Sequence, residues 1–234
     1  MPSEKQRRML LEPLLERRAD LAYRNRFLFF RPVGHYWRAV YFWKTRGKVS
    51  LLSLVFPLFA GKFVSFIWGE GMAPDSNHLL QISWDDPERA ALECSDFIER
   101  SVLPCIADIV DPEELAKHPR YCNDMLDPLF RACFYGDFDE AERRAVGYVD
   151  WWGPTNSFYS EEKKMFVHEP YSIELVTEHH RMSDDAAWRM AYLAQLLRTN
   201  RAEVPTLLHE WERHTAKGFG IEEYWAPTPF PCER

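Results

Sequence analysis

Eight histidines, five cysteines and 36 carboxylates are the residues with which this 234-residue chain could do chemistry. The segment His209-Glu210-Trp211-Glu212-Arg213-His214 invites comparison with a metalloprotease helix. That helix needs histidines at i and i+4, so that both rings face one ion with a glutamate between them. Here the spacing is i and i+5, about 500° around a helix, which turns the rings about 140° apart. His179 and His180 are adjacent, so a strand would send them to opposite faces. The alternative that survives is a site assembled in space from His179, His180, His209 and a nearby carboxylate, with His180, His209 and Glu210 as its metal set.

Other catalytic patterns are missing. The chain has no G-x-S-x-G elbow, no G-x-x-x-x-G-K-S/T loop and no G-x-G-x-x-G turn. Cys94, Cys105, Cys122, Cys133 and Cys232 form no Cys-x-x-Cys pair; an odd, scattered set fits reduced thiols in a cytoplasmic protein. Paired carboxylates such as Asp85-Asp86 and Glu113-Glu114 sit where helix starts favour negative charge. No catalytic residue stands out, no cofactor is expected, and the reading leans away from an enzyme.

Charge is the most informative feature. Residues 1–70 hold 13 Lys+Arg against 5 Asp+Glu, a net of +8, while residues 71–234 hold 16 against 31, a net of −15. The basic part interleaves aromatics with cations, and Arg24, Arg26, Arg38, Trp43, Lys44 and Arg46 could form a surface for nucleic acid or an anionic membrane. Against that stand an acidic whole, no RNP-type motif, and the tendency of aromatics on a sheet to lie under covering helices. The favoured partner is therefore another protein, a basic one. It would be met by an acidic helical face that includes Glu161, Glu162, Asp184 and Asp185. Inhibitor or immunity-type proteins are a concrete form of such a module.

These residues need elements to position them. A helix is expected over Glu4–Tyr23, perturbed at Pro13. Five strands follow, Phe27–Arg31, His35–Arg46, Val49–Phe59, Phe63–Trp68 and Leu79–Trp84; their short connections favour antiparallel pairing. Val49–Gly69 is long enough to span a bilayer, but Pro57, Gly61 and Lys62 break it, so a hairpin is expected and no transmembrane span. Met1 to Arg18 lacks the apolar core of a signal peptide.

From Asp85 the period becomes helical. Asp86-Pro87 and Asp111-Pro112 read as helix starts, with the acid as cap and proline at the first position. Helices are expected at Tyr121–Tyr135 and Phe138–Val149, broken by Trp151-Trp152-Gly153-Pro154. A loop over Pro154–Ser160, a strand or extended segment over Tyr171–Thr177, helices Ser183–Leu197 and Ala202–Lys217, and a proline-rich strap from Trp225 complete the chain. Within it, Leu129–Tyr148, LFRACFYGDFDEAERRAVGY, resembles the helix-turn-helix of tetratricopeptide-type repeats, which implies an antiparallel helix hairpin. No second copy follows at a spacing near 34, so a solenoid is not expected. The expectation is an α+β protein. Region 1–85 carries the helix and a roughly five-stranded antiparallel sheet, and region 86–234 is mainly helical, acidic and packed on it as one compact unit.

Overall fold

The computed structural model describes residues 3–45, 48–60, 77–80, 85–118, 127–152, 157–160, 165–168, 171–183 and 185–234. The chain is α+β and divides into two compact units. Unit 1 is Met1–Cys122 with Glu212–Thr228, and unit 2 is Asn123–Trp211 with Pro229–Arg234.

In unit 1, helix α1 (Glu4–Arg17) opens on a capping box. Ser3 Oγ accepts from the Gln6 amide at 3.2 Å, and the Gln6 side chain accepts from the Ser3 amide at 2.7 Å. The helix ends earlier than its apolar stripe predicts, and Leu21–Arg24 is strand β1 instead. The cause lies just beyond. Asn25 and Arg26 both take positive φ, 50° and 73°, a two-residue turn whose twist suits a hairpin. It folds β1 onto β2 (Phe27–Phe30), with Leu21 opposite Phe30 and Arg24 opposite Phe27.

Strands β3 (Tyr36–Thr45), β4 (Lys48–Pro57) and β5 (Asn77–Leu80) extend the sheet, in the order β1-β2-β3-β4-β5 with antiparallel neighbours. Four of the expected strands are in this sheet, those beginning near residues 27, 35, 49 and 79. The expected strand Phe63–Trp68 lies outside the described residues. The stretch considered as a bilayer span begins as β4, bonded to β3 on one edge and β5 on the other. Among the described residues no helix is long and apolar enough to cross a membrane.

Over the residues whose burial is described, both faces of β2, β3 and β4 are buried. Phe27, Phe29, Trp37, Ala39, Tyr41, Leu52 and Phe56 share one face and form a core with Ala216 and Ile221. Leu28, Val40, Phe42 and Leu51 line the other and are equally enclosed. Two-sided burial explains why the strands read as aromatic runs and not as an alternation of apolar and polar residues. Helix α2 (Pro87–Phe97) starts as its Asp-Pro pair predicts, Asp86 Oδ1 accepting from the Arg89 amide at 3.1 Å. It packs on α1, where Ser95 Oγ donates to the Leu10 carbonyl at 3.0 Å, and then unwinds through Ile98–Val102 ahead of Pro104. Helix α3 (Pro112–Ala116) uses Asp111 in the same way, capping the amides of Glu113 and Glu114 at 2.9 Å each.

In unit 2, α4 (Asp127–Tyr135) and α5 (Phe138–Trp152) make the expected helix hairpin. Gly136, at φ 81°, ends α4: its amide reaches the Cys133 carbonyl at 3.2 Å and the Asp137 amide reaches Ala132 at 2.9 Å. Trp151 and Trp152 stay helical rather than breaking the element. Ser157–Ser160, expected in a loop, is strand β6, paired antiparallel with β7 (Met165–His168). Tyr171–Thr177, expected to be extended, holds a 3-10 turn at Ile173–Leu175, whose start is fixed by Ser172 Oγ accepting from the Glu174 amide at 3.2 Å.

Helix α6 (Ala186–Thr199) is buried on nearly every side, and Asp185 caps its start. Helix α7 (Val204–Phe219) passes from unit 2 to unit 1 between Trp211 and Glu212. The strap after it pairs Trp225 with Val33 in unit 1.

Candidate functional site

The acidic residues read as a partner face meet different fates. Asp185 spends its carboxylate on the fold: Oδ1 accepts from the amides of Ala187 at 2.9 Å and Trp188 at 3.4 Å, and Oδ2 accepts from Tyr171 Oη at 2.7 Å. Burial, and then that bond, push the Tyr171 phenol well above its ordinary range, so it stays a donor. Glu161, Glu162 and Asp184 lie outside the described residues. Around Asp185 stands an aromatic group in unit 2. Tyr171 meets Trp188 edge-on at 5.3 Å, and His180 stacks on Trp188 at 4.3 Å. On α5 the ring of Tyr148 lies 6.3 Å from Trp152, and Trp151 projects with 57% of its surface exposed.

The histidines proposed for metal are not brought together. His180 Nδ1 accepts the Thr177 amide at 3.0 Å while its ring stacks on Trp188. His209 Nε2 faces Glu233 Oε2 at 3.1 Å, against the ring of Phe230. Glu210 grips Arg181 with both oxygens, at 2.6 and 3.0 Å, and Arg181 is shared with Glu203 and Tyr192. His179 lies beside His180, its ring centre 5.9 Å away. Among the described residues no group of three or more His, Cys, Asp or Glu side chains is placed to hold an ion.

The described residues of the basic aromatic surface are engaged within the fold. Phe27, Phe29, Phe30, Trp37, Tyr41, Phe42, Phe56 and Phe59 are core, so these rings are closed to stacking bases. Arg24 pairs with Glu223 at 3.3 Å, and Arg26 occupies the hairpin turn. Arg38 is half-buried, lies 4.6 Å above the Phe30 ring and donates to the Ala107 carbonyl; burial pulls its pKa down. Trp43 and Lys44 lie on β3 opposite Ser50 and Val49, and Arg46 is outside the described residues. Cys94, Cys133 and Cys232 are held as thiols by their surroundings. Burial pushes Cys94 up to about 12, burial and then Glu233 push Cys232 up to about 11, and Cys133 is fully enclosed. Cys94, Cys105, Cys133 and Cys232 are free thiols.

One constellation in unit 1 escaped the sequence reading. His35 Nδ1 lies 2.7 Å from Glu212 Oε1, and His35 Nε2 lies 3.1 Å from Thr228 Oγ1. Glu212, on α7, is fully buried; His35, just before β3, is 9% exposed; Thr228, in the strap, is open to solvent. The three stand 177 and 193 positions apart, beyond the reach of any motif. No protein-family model, curated protein or solved structure matches this chain.

Proposed function

We propose that the chain is a cytoplasmic protein-binding module whose acidic unit 2 engages a basic partner, in the manner of an inhibitor or immunity-type protein. The observation that carries this reading is where the charge lies. Unit 2 holds 10 Lys+Arg against 17 Asp+Glu, a net of −7, whereas unit 1 holds 19 against 19 and is neutral. The whole formal charge of the protein therefore belongs to one unit, as suits electrostatic steering of a cationic partner. Trp151 and Trp152, exposed on α5 of the same unit, are the residue type that most often anchors an interface. Free thiols agree with a reducing compartment.

Asp185 is a poor probe of the reading, because α6 needs it as a cap. The test is charge reversal at Glu161 and Glu162 together with Trp151→Ala. A basic protein captured from extract after nuclease treatment is purified, and its association rate measured at about 0.15 M and 0.5 M salt, where screening differs severalfold. The expected result is an association rate that falls with salt and falls again in the reversed variant. Equal rates for wild type and variant overturn the acidic-face reading.

A further inference from the structure

The hydroxyl–imidazole–carboxylate chain in unit 1 is independent of the acidic face, and its geometry has a chemical consequence. A carboxylate only accepts hydrogen bonds, so Glu212 Oε1, 2.7 Å from His35 Nδ1, keeps the proton of the neutral ring on Nδ1. Nε2 is then the bare nitrogen, and it faces Thr228 Oγ1 at 3.1 Å. A nucleophile in reach of a base, with the base oriented by a third group, is the arrangement that activates hydroxyls on unrelated folds.

The strap holds the hydroxyl in place. Two main-chain bonds, Val33 amide to Tyr224 carbonyl at 2.8 Å and Ala226 amide to Val33 carbonyl at 2.9 Å, fasten it beside His35. Pro227 and Pro229 then flank Thr228 and fix the backbone on either side. The His35 carbonyl accepts the Leu58 amide at 2.9 Å, tying the base to the turn that follows β4. Exposure rises from Glu212 through His35 to Thr228, so the reactive end alone meets solvent.

We propose that Thr228 is a nucleophile toward activated carboxylic esters, with His35 as its general base and Glu212 as the residue that positions His35. Thr228 Oγ1 bonds to the ester carbonyl carbon while its proton passes to His35 Nε2 and the carbonyl π pair moves to oxygen. Collapse breaks the carbon–oxygen bond to the leaving alcohol, which takes the proton from Nε2 and leaves an acyl-threonine. Water then attacks the acyl carbon, giving its proton to His35. Collapse breaks the bond to Oγ1, returns that proton to it and frees the carboxylic acid. Pro227 and Pro229 carry no amide hydrogen, so the Thr228 N–H is the one main-chain oxyanion donor within this tripeptide. A missing oxyanion donor costs about 10²–10³ in rate. Esters with good leaving groups are thus the substrate class, and the acyl-threonine accumulates.

The test treats the full chain with p-nitrophenyl acetate, follows nitrophenolate release, and locates the acetyl group by peptide mass mapping. One acetyl on Thr228 with a matching burst is expected. Thr228→Val, at an exposed position, removes that adduct; Thr228→Ser restores it; His35→Gln slows it about 10²-fold, as loss of a general base does. Glu212→Gln shifts the pH profile of the burst, which a purely structural tie between strap and sheet would not do. If the acetyl group lies elsewhere, if none forms, or if Thr228→Val shows the same burst, the proposal is overturned. Should His35→Gln or Glu212→Gln lose its fold by circular dichroism, the Thr228 pair still decides.

Discussion

The role of a titratable residue here is set by what its oxygens and nitrogens already hold. Asp185 and Glu210 are both acidic, yet one closes a helix start and the other is bound by Arg181. Glu140 shows the consequence for stability. Arg143 and Arg144 both donate to it from the next turn of α5, and the Arg143 bond, followed by Arg144, lowers its pKa from the ordinary 4.5 to about 2. A carboxylate lowered in the folded state stabilises it above the unfolded value. That contribution fades as pH falls from about 4.5 toward 2. Replacing Glu140 with Gln is expected to lower stability slightly at neutral pH and to flatten the acid limb in this window, the two proteins converging as pH falls toward 2, as urea midpoints across pH would record. An acid limb identical to wild type would mean that the arginines do not hold Glu140 in solution.

At the scale of elements, what was legible was local. Asp86-Pro87 and Asp111-Pro112 announce helix starts because cap and first turn are chain neighbours, and the Gly136-Asp137 turn announces a hairpin for the same reason. Strand β1 was not legible, since Leu21 continues the spacing of Leu10 and Leu14 and no glycine marks the turn after it. His35, Glu212 and Thr228 were invisible, because only the sheet, α7 and the strap together bring them into contact. The unmarked turn can be tested. Arg26 sits at φ 73°, where a side chain costs about 1 kcal/mol or more. Arg26→Gly supplies the Asn-Gly pair this turn prefers, so a gain of up to about 1 kcal/mol is expected after glycine's entropic cost. A higher urea midpoint with an unchanged slope would register it; a lower midpoint would mean the Arg26 side chain contributes more than its backbone costs.

Across the whole molecule, two charge distributions that look alike in composition have separate uses. The +8 of residues 1–70 is met inside unit 1. Arg17 reaches Asp96 at 3.1 Å and Glu99 at 3.0 Å, Arg18 reaches Glu99 at 3.5 Å, and Arg24 reaches Glu223. Unit 2 has no such balance and keeps its −7. Reversing charge in the two units is therefore expected to give opposite outcomes. Arg17→Glu sets an acid against Asp96 and Glu99 where α1 packs on α2, and these partly exposed pairs are worth about 1 kcal/mol, a fall of roughly 2–4 °C in Tm. Partner association should not change. Reversal at Glu161 and Glu162 is expected to do the converse, slowing association while Tm holds. If Arg17→Glu, which makes the protein more acidic, speeds the partner in proportion to its change in charge, the partner responds to the net charge of the whole protein and no face has been selected. A variant pair that separates stability from association would tie the acidic surplus to binding, since a charge with no folding role and no binding role would move neither measurement.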